Sequence, residues 1–200
     1  MEPKSLDNTP SYVPNGKRLW YELLQSAIAA SPPQSMNVAQ LATLRPTDST
    51  PISNRPTVRS VNIRSINKDG LSFCSDKRAA KAQILSQVPE AELHFWLPQV
   101  YLQMRLSGKL RINKDEKMRQ EWWSSLRPHE KLWFAWPTPA APRDEAALAA
   151  AKPSEDISDD FAILTLDVDF VDVSLLAPSP FARELHILRV NEWCIQAVNP

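Results

Sequence analysis

Three cations stand where the backbone itself favours an anion. In "SDKRAAKAQIL" (75–85), Lys77, Arg78 and Lys81 follow Ser75 and Asp76, two residues suited to cap a helix before an Ala-rich, helix-favouring run. A helix N-terminus is the positive end of the helix dipole, and each exposed cation there costs roughly 0.3–1 kcal/mol. The cluster is therefore either a solvated charged face or an anion site. In the second case, free backbone N–H groups and basic side chains would hold a phosphate together. The preceding segment adds Arg59 and Arg64. These are five residues apart, so strict strand alternation points them to opposite faces. Both reach one ligand only through a twist, a bulge or a barrel rim.

Other chemistries find less support. Glycine occurs only at 16, 70 and 108, which excludes a P-loop and a GxGxxG dinucleotide loop. Cys74 and Cys194 lack zinc-like spacing, and Cys74 reads as a small buried residue. Asp167, Asp169 and Asp172 alternate along one run and read as a solvated strand edge, so no metal site is expected. The seven tryptophans read as core and interface residues. His94 reads as surface or interface, and His129 as an exposed turn.

The chain has 200 residues, 43% hydrophobic and 23% charged, with 23 basic and 23 acidic residues. That suits one soluble domain with a sizeable core and gives no compositional case for nucleic acid or a membrane surface. The start of the chain shows no apolar signal core, and no run approaches the roughly 18 apolar residues of a membrane helix. Cytoplasm is the expected compartment. Residues 1–16 read as a flexible leader, 17–200 as one domain, and 141–160 as a mobile insertion or surface helix.

The elements that must position the cations follow from periodicity. An amphipathic helix is predicted over Arg18–Ala30, with Leu19, Leu23 and Ile28 near one face beside Trp20 and Leu24. Strands are predicted over Asn37–Thr47, Thr57–Asn67 and Leu71–Ser75, the last two joined by a turn at Lys68–Gly70. A helix is predicted from about Ser75 to Gln87, then strands over Ala91–Leu97 and Tyr101–Ile112. In the latter, Leu102, Met104, Leu106, Leu110 and Ile112 share one face and Gln103, Arg105, Ser107, Lys109 and Arg111 the other. A polar helix with Trp122 and Trp123 follows, and Phe161–Leu176 and Glu184–Pro200 supply the last strands. Without βαβ alternation, the pattern favours an antiparallel barrel or sandwich with flanking helices.

The order of "RSVNIR" (59–64), "LSFCSDKRAAK" (71–81), "PEAELHFWLPQVYLQMRLSGKLRI" (89–112), "LRPHEKLWFAWP" (126–137), "VDVSLL" (171–176) and a terminal "W…VNP" resembles the pyridoxamine 5'-phosphate oxidase family. It resembles in particular the FMN-binding branch of unassigned substrate found in cyanobacteria and plants. The resemblance implies an antiparallel split β-barrel, a homodimer, and FMN at the dimer interface. It places Arg59 and Arg64 at the flavin and its phosphate, and Cys74 and Ser75 at the strand end beside them. It places Lys81 on the phosphate, and Gln103 and the backbone of Ser60 and Val61 near the flavin ring. Trp123, Arg127 and Lys131 occupy the positions that bind the substrate phosphate in the oxidase as Tyr, Arg and Ser, and His186 a substrate-side position. Ala80 stands where the oxidase carries a phosphate arginine, with Arg78 a candidate substitute, and Ser174 replaces a ring-packing Trp. The expected function is an FMN-dependent oxidoreductase passing hydride to flavin N5 from a small-molecule substrate or a nicotinamide donor. The alternative is a non-enzymatic module that stores or senses a flavin or a related cofactor.

Overall fold

A computed structural model describes residues 11–31, 37–46 and 54–200. Among the described residues, eight strands form one antiparallel sheet: β1 (Val38–Pro46), β2 (Asn54–Asn67), β3 (Gly70–Asp76), β4 (Glu90–Leu97), β5 (Leu102–Ile112), β6 (Phe161–Leu175), β7 (Ala182–Arg189) and β8 (Glu192–Val198). Their order is β3-β2-β1-β4-β5-β6-β7-β8, and a further β3–β6 pairing closes the first six into a barrel. The first half of β6 seals the barrel against β3, and its second half carries β7 and β8. The expected antiparallel barrel with flanking helices is the observed architecture.

The helix α1 (Trp20–Ala29) packs on this barrel with Trp20, Leu23, Leu24 and Ala27 fully buried. That is the i, i+3, i+4, i+7 stripe of an amphipathic helix, turned slightly from the face anticipated through Leu19 and Ile28. On β5, Leu102, Met104, Leu106 and Leu110 point into the core, but Ile112 is 39% exposed where the strand leaves the barrel. A second core forms outside the barrel around Trp123, Leu126, Phe134, Phe161 and Ile163. It is built by α3 (Glu116–Ser125) and α4 (Pro128–Leu132) against the start of β6. Asp115 caps α3 by accepting the Met118 N–H at 3.0 Å.

One expectation needs revision, and two others can be set beside the described residues. The helix expected over 75–87 shrinks to α2 (Ala80–Gln83) and one 3-10 turn, Ile84–Ser86. The strand β3 runs on to Asp76 because that residue pairs with Phe161, and the Lys77 N–H donates to Asp160 O at 2.8 Å. Strand pairing has consumed the backbone that would have formed the first helical turn. Of the expected leader, residues 1–10 lie outside the described residues, but Tyr12 and Val13 pack on the core and the Gly16 N–H donates to Glu184 at 2.6 Å. The 141–160 segment holds the surface helix that was one of its two expected forms, α5 (Glu145–Ala150), and beyond it Glu155 O accepts from Trp123 Nε1 at 2.9 Å and Ile157 packs on the second core.

Gly108 sits where β5 and β6 slip register, and a Cβ there would lie 2.0 Å from the backbone oxygen of Asp167. A backbone oxygen cannot yield without breaking the β5–β6 ladder. Gly108→Ala is therefore expected to destabilise the fold by roughly 2–4 kcal/mol. Urea unfolding checks this as a lower midpoint at unchanged slope.

Candidate functional site

A cleft of about 650 Å3 opens between the barrel and the second core. One wall is β2 from Ser60 to Arg64 and the end of β3 from Cys74 to Asp76, with Lys81 of α2 beside them. The other wall is the α3–α4 corner: Ser125, Leu126, Arg127, Glu130, Trp133 and Phe134.

Arg64 reaches the cleft because the β2–β3 register shifts between Ile63 and Ser65, a bulge that frees Arg64 from the ladder. Its guanidinium donates to Ser125 Oγ at 2.9 Å and sits 5.4 Å from the centre of the Trp122 ring. Its other amino group lies 3.8 Å from Cys74 Sγ. No carboxylate among the described residues pairs with it. Arg59, on the other face, donates to Thr43 Oγ1 and Thr57 Oγ1 at 2.6 Å each. It does not line the cleft, but burial lowers its pKa and its charge acts on Lys81.

Lys81 is half-buried in the cleft wall and makes no hydrogen bond or ion pair among the described residues. Burial holds its pKa below the usual lysine value, repulsion from Arg59 lowers it further, and Asp76 opposes both. A half-buried cation beside a second cation, with no counter-ion of its own, is an arrangement that an anion completes.

Arg78, the candidate substitute for a phosphate arginine, is committed elsewhere. It meets Asp76 at 2.7 Å and Asp160 at 3.1 Å, and donates to Trp136 O at 3.2 Å. It ties the end of β3 to the 133–160 segment. Of the three cations at 77–81, only Lys81 lines the cleft. With α2 a single turn, the helix-dipole contribution falls away and side chains carry the site.

Ser60, Val61, Cys74 and Ser75 all line the cleft. Burial pushes the Cys74 thiol up, against the pull of Arg64, so it stays protonated near neutral pH. Arg127 lines the far wall, where its Nε donates to Glu130 at 3.1 Å. Besides Arg59, four candidates lie elsewhere. Gln103 is on the outer sheet face, between Trp96 of β4 and Ser174 of β6. Trp123 is 2% exposed and forms part of the second core, and His186 is fully buried in β7. Neither ring nitrogen of His186 has a partner, and Glu184 Oε2 lies 3.6 Å away. Lys131 is buried too, bound to Glu155 at 2.6 Å.

Asp172, anticipated at a solvated edge, is 3% exposed and bound by both Arg105 and Arg183. Burial pushes its carboxyl up, but the two arginines outweigh this and hold it below the usual value. Among the described residues, no cluster of His, Cys, Asp or Glu could hold a metal, and no helix is long and apolar enough to cross a membrane.

Sequence reasoning missed Glu130, Trp133 and Phe134. Their signal was present in "RPHEKLWF": Pro128 opens α4, Glu130 accepts the Arg127 N–H at 2.9 Å, and Trp133 and Phe134 follow directly on the helix end at Leu132.

Residues 17–114 match the family described as pyridoxamine 5'-phosphate oxidase, FMN-binding domain. The chain belongs to that family. A pyridoxamine 5'-phosphate oxidase-related, FMN-binding protein of Nostoc punctiforme shares the fold with a TM-score of 0.80 and 28% identity, over 92% of this chain and 98% of that one. PhzG of Burkholderia lata, solved with tetrahydrophenazine-1-carboxylic acid, superposes with a TM-score of 0.70 over 89% and 88% of the two chains, at 20% identity. The pyridoxine/pyridoxamine 5'-phosphate oxidase of Nostoc sp. PCC 7120 is 30% identical over 58% of this chain and 49% of its own length. The chain thus spans about half the length of the curated relatives it matches.

Within this FMN-binding family, the cleft suits the cofactor. Its volume is in the range of cofactor sites, and the uncompensated Lys81 and Arg64 fit a phosphate group.

Proposed function

We propose that the cleft binds FMN with its phosphate between Arg64 and Lys81, and that the protein is an FMN-dependent oxidoreductase acting as a homodimer. The half-buried, unpaired ammonium of Lys81 carries the reading. Arg64 supplies a guanidinium already held by Ser125 and Trp122, so little entropy is lost when it meets an anion. The backbone of Ser60–Ile63 forms the wall along which a flavin ring would lie. Bound FMN supplies two-electron redox chemistry, and the chain binds, orients and shields it. Gln103 stands away from its own cleft, on a face that also exposes Trp96 to 44%; in a homodimer that face is offered to a second copy.

A non-enzymatic flavin-binding role gains support from the substrate side. Trp123 is buried in the second core and Lys131 is neutralised by Glu155, so neither is offered to a substrate phosphate.

The purified protein is expected to show flavin absorption bands, or acquire them on adding FMN, and to release FMN on denaturation, identified by mass spectrometry. A protein that stays colourless with excess FMN would overturn the flavin reading. Steady aerobic turnover of NADPH or pyridoxamine 5'-phosphate supports the enzyme. Stoichiometric FMN uptake without turnover of either favours the binding module.

A further inference from the structure

The outer face of the sheet runs unbroken from the cleft to a fixed pair of arginines. Ser60 lines the cleft. In register with it across the strands stand Gln40 of β1, His94 of β4, Arg105 of β5 and Asp172 of β6. Residues opposite one another in an antiparallel ladder share a face. Four strand steps of about 4.8 Å put Asp172 roughly 19 Å from Ser60 along the sheet. Ser60 Oγ donates to Gln40 Oε1 at 3.2 Å, so the near end of the row is already joined.

Asp172 anchors the far end. It is 3% exposed and accepts from Arg105 on β5 and, at 2.8 and 3.0 Å, from Arg183 on β7. Buried and doubly bound, it sets both guanidiniums in place. Among the described residues neither arginine has another carboxylate or hydrogen-bond partner. A guanidinium carries five N–H donors, so each keeps some to spare. Ser174 pairs with Gln103 on one side and Arg183 on the other, and Arg105 is two residues along β5 from Gln103, about 7 Å. The arginines and Gln103 therefore share one patch of the outer face.

One copy cannot bring the two ends of this row together, because the strands between them fix the separation. Two copies can. In a two-fold dimer one patch meets itself, so each end of the row meets the other end when the axis crosses the middle. The middle strands expose Gln40, Val38 at 48% and Trp96 at 44%, surface that such a contact would cover. Each cleft then faces the arginine pair of the other copy.

We propose that Arg105 and Arg183 of one copy, held by Asp172, close the FMN cleft of the other and donate to the flavin ring. The carbonyl oxygens of that ring match guanidinium N–H donors, and Arg64 and Lys81 hold the phosphate from within the cleft's own chain. Asp172 is a positioning residue, and the two arginines are cofactor-binding residues supplied across the interface. The inference rests on FMN filling the cleft of a homodimer.

Heterodimers separate this arrangement from a site built within one chain. Lys81→Met spoils the cleft of its own chain. Arg183→Gln removes a donor while Arg105 still binds Asp172. Each variant as a homodimer is expected to bind FMN at least about tenfold more weakly. A co-expressed heterodimer of the two, purified through two different affinity tags, holds one cleft with Lys81 facing an intact Arg183. It is expected to take up one FMN at wild-type affinity, with the second site weaker than in either homodimer. Calorimetric titration reads both sites. Arg105→Gln, which leaves Arg183 on Asp172, repeats the test from the other arginine. Two weakened sites in the heterodimer overturn the proposal, as does wild-type FMN affinity in homodimeric Arg183→Gln. Sedimentation and FMN loading of the wild-type protein come first. FMN bound to a monomer overturns the proposal and leaves the flavin reading intact, and failure to load FMN overturns both.

Discussion

Replacing Lys81 with methionine is expected to weaken FMN binding by roughly 10- to 100-fold while leaving the thermal midpoint of the FMN-free protein unchanged or raised. A charge-assisted hydrogen bond contributes about 1.5–3 kcal/mol, and a tenfold change in affinity is about 1.4 kcal/mol. The opposite sign on stability follows from the environment of Lys81. Burial, then Arg59, holds its folded pKa below the unfolded value of 10.5. A lysine so placed destabilises the fold while charged. The cost is full below the folded pKa and fades as pH rises towards the unfolded one. Methionine keeps the stem and removes that cost. Arg78→Met makes the contrast, because it breaks the contacts to Asp76 and Asp160. It is expected to lower the thermal midpoint and to change FMN affinity less than threefold. Calorimetric titration with FMN and thermal melts of both variants decide this. Equal losses of affinity would mean that Arg78 leaves its carboxylates to bind phosphate.

Acid is expected to unfold this protein through His186 well before the bulk of its carboxylates titrate. Burial drops the His186 pKa from 6.5 to about 4, and neither ring nitrogen has a partner. The imidazole is thus buried neutral, and the unfolded chain binds the proton more tightly. Stability is complete above pH 6.5 and falls as pH drops towards 4, by on the order of 3 kcal/mol in all. Glu184, 3.6 Å away, is its nearest carboxylate. Burial raises the pKa of that carboxyl, against the hydrogen bond from the Gly16 N–H, and so favours its neutral form beside His186. The contribution of Asp172 is separate. Its folded pKa lies below 3.8, so the stability it adds is lost only under that value. His186→Leu should flatten the decline between pH 6.5 and 4 without altering the loss at lower pH. Urea unfolding at pH 7, 5.5 and 4.5 measures the slope, and parallel slopes for the two proteins would refute the assignment. The histidine would then be a stabilising structural group rather than an acid-labile one.

Much of the barrel was legible because its signals are local. Alternation along Leu102–Leu110 reports one buried face whatever the neighbouring strand is, since side chains on a strand alternate with period two. Gly70 marks the β2–β3 hairpin through its positive φ of 138°. Lys81 was legible as a phosphate candidate because three cations crowd a predicted helix N-terminus, although α2 is a single turn and side-chain charge alone carries that reading.

Other features were invisible for the same reason. Closing the barrel pairs Leu71 with Leu166, and Ser72 Oγ meets Thr165 Oγ1 at 2.8 Å, across 93 positions of chain. That pairing takes the backbone around Asp76 and cuts short the helix that local propensity favours over 75–87. The bulge at Arg64 depends on how β2 fits β3, which alternation within β2 does not encode. Arg78 looked like a phosphate ligand until Asp160 was brought beside it, and Trp123 and His186 looked available until the second core and β7 enclosed them. Amino-acid order determines which residues have the chemistry to bind an anion, because charge and periodicity belong to each segment. The tertiary structure decides which of them remain unpaired to do so, because ion pairing and burial belong to contacts between segments far apart in the chain.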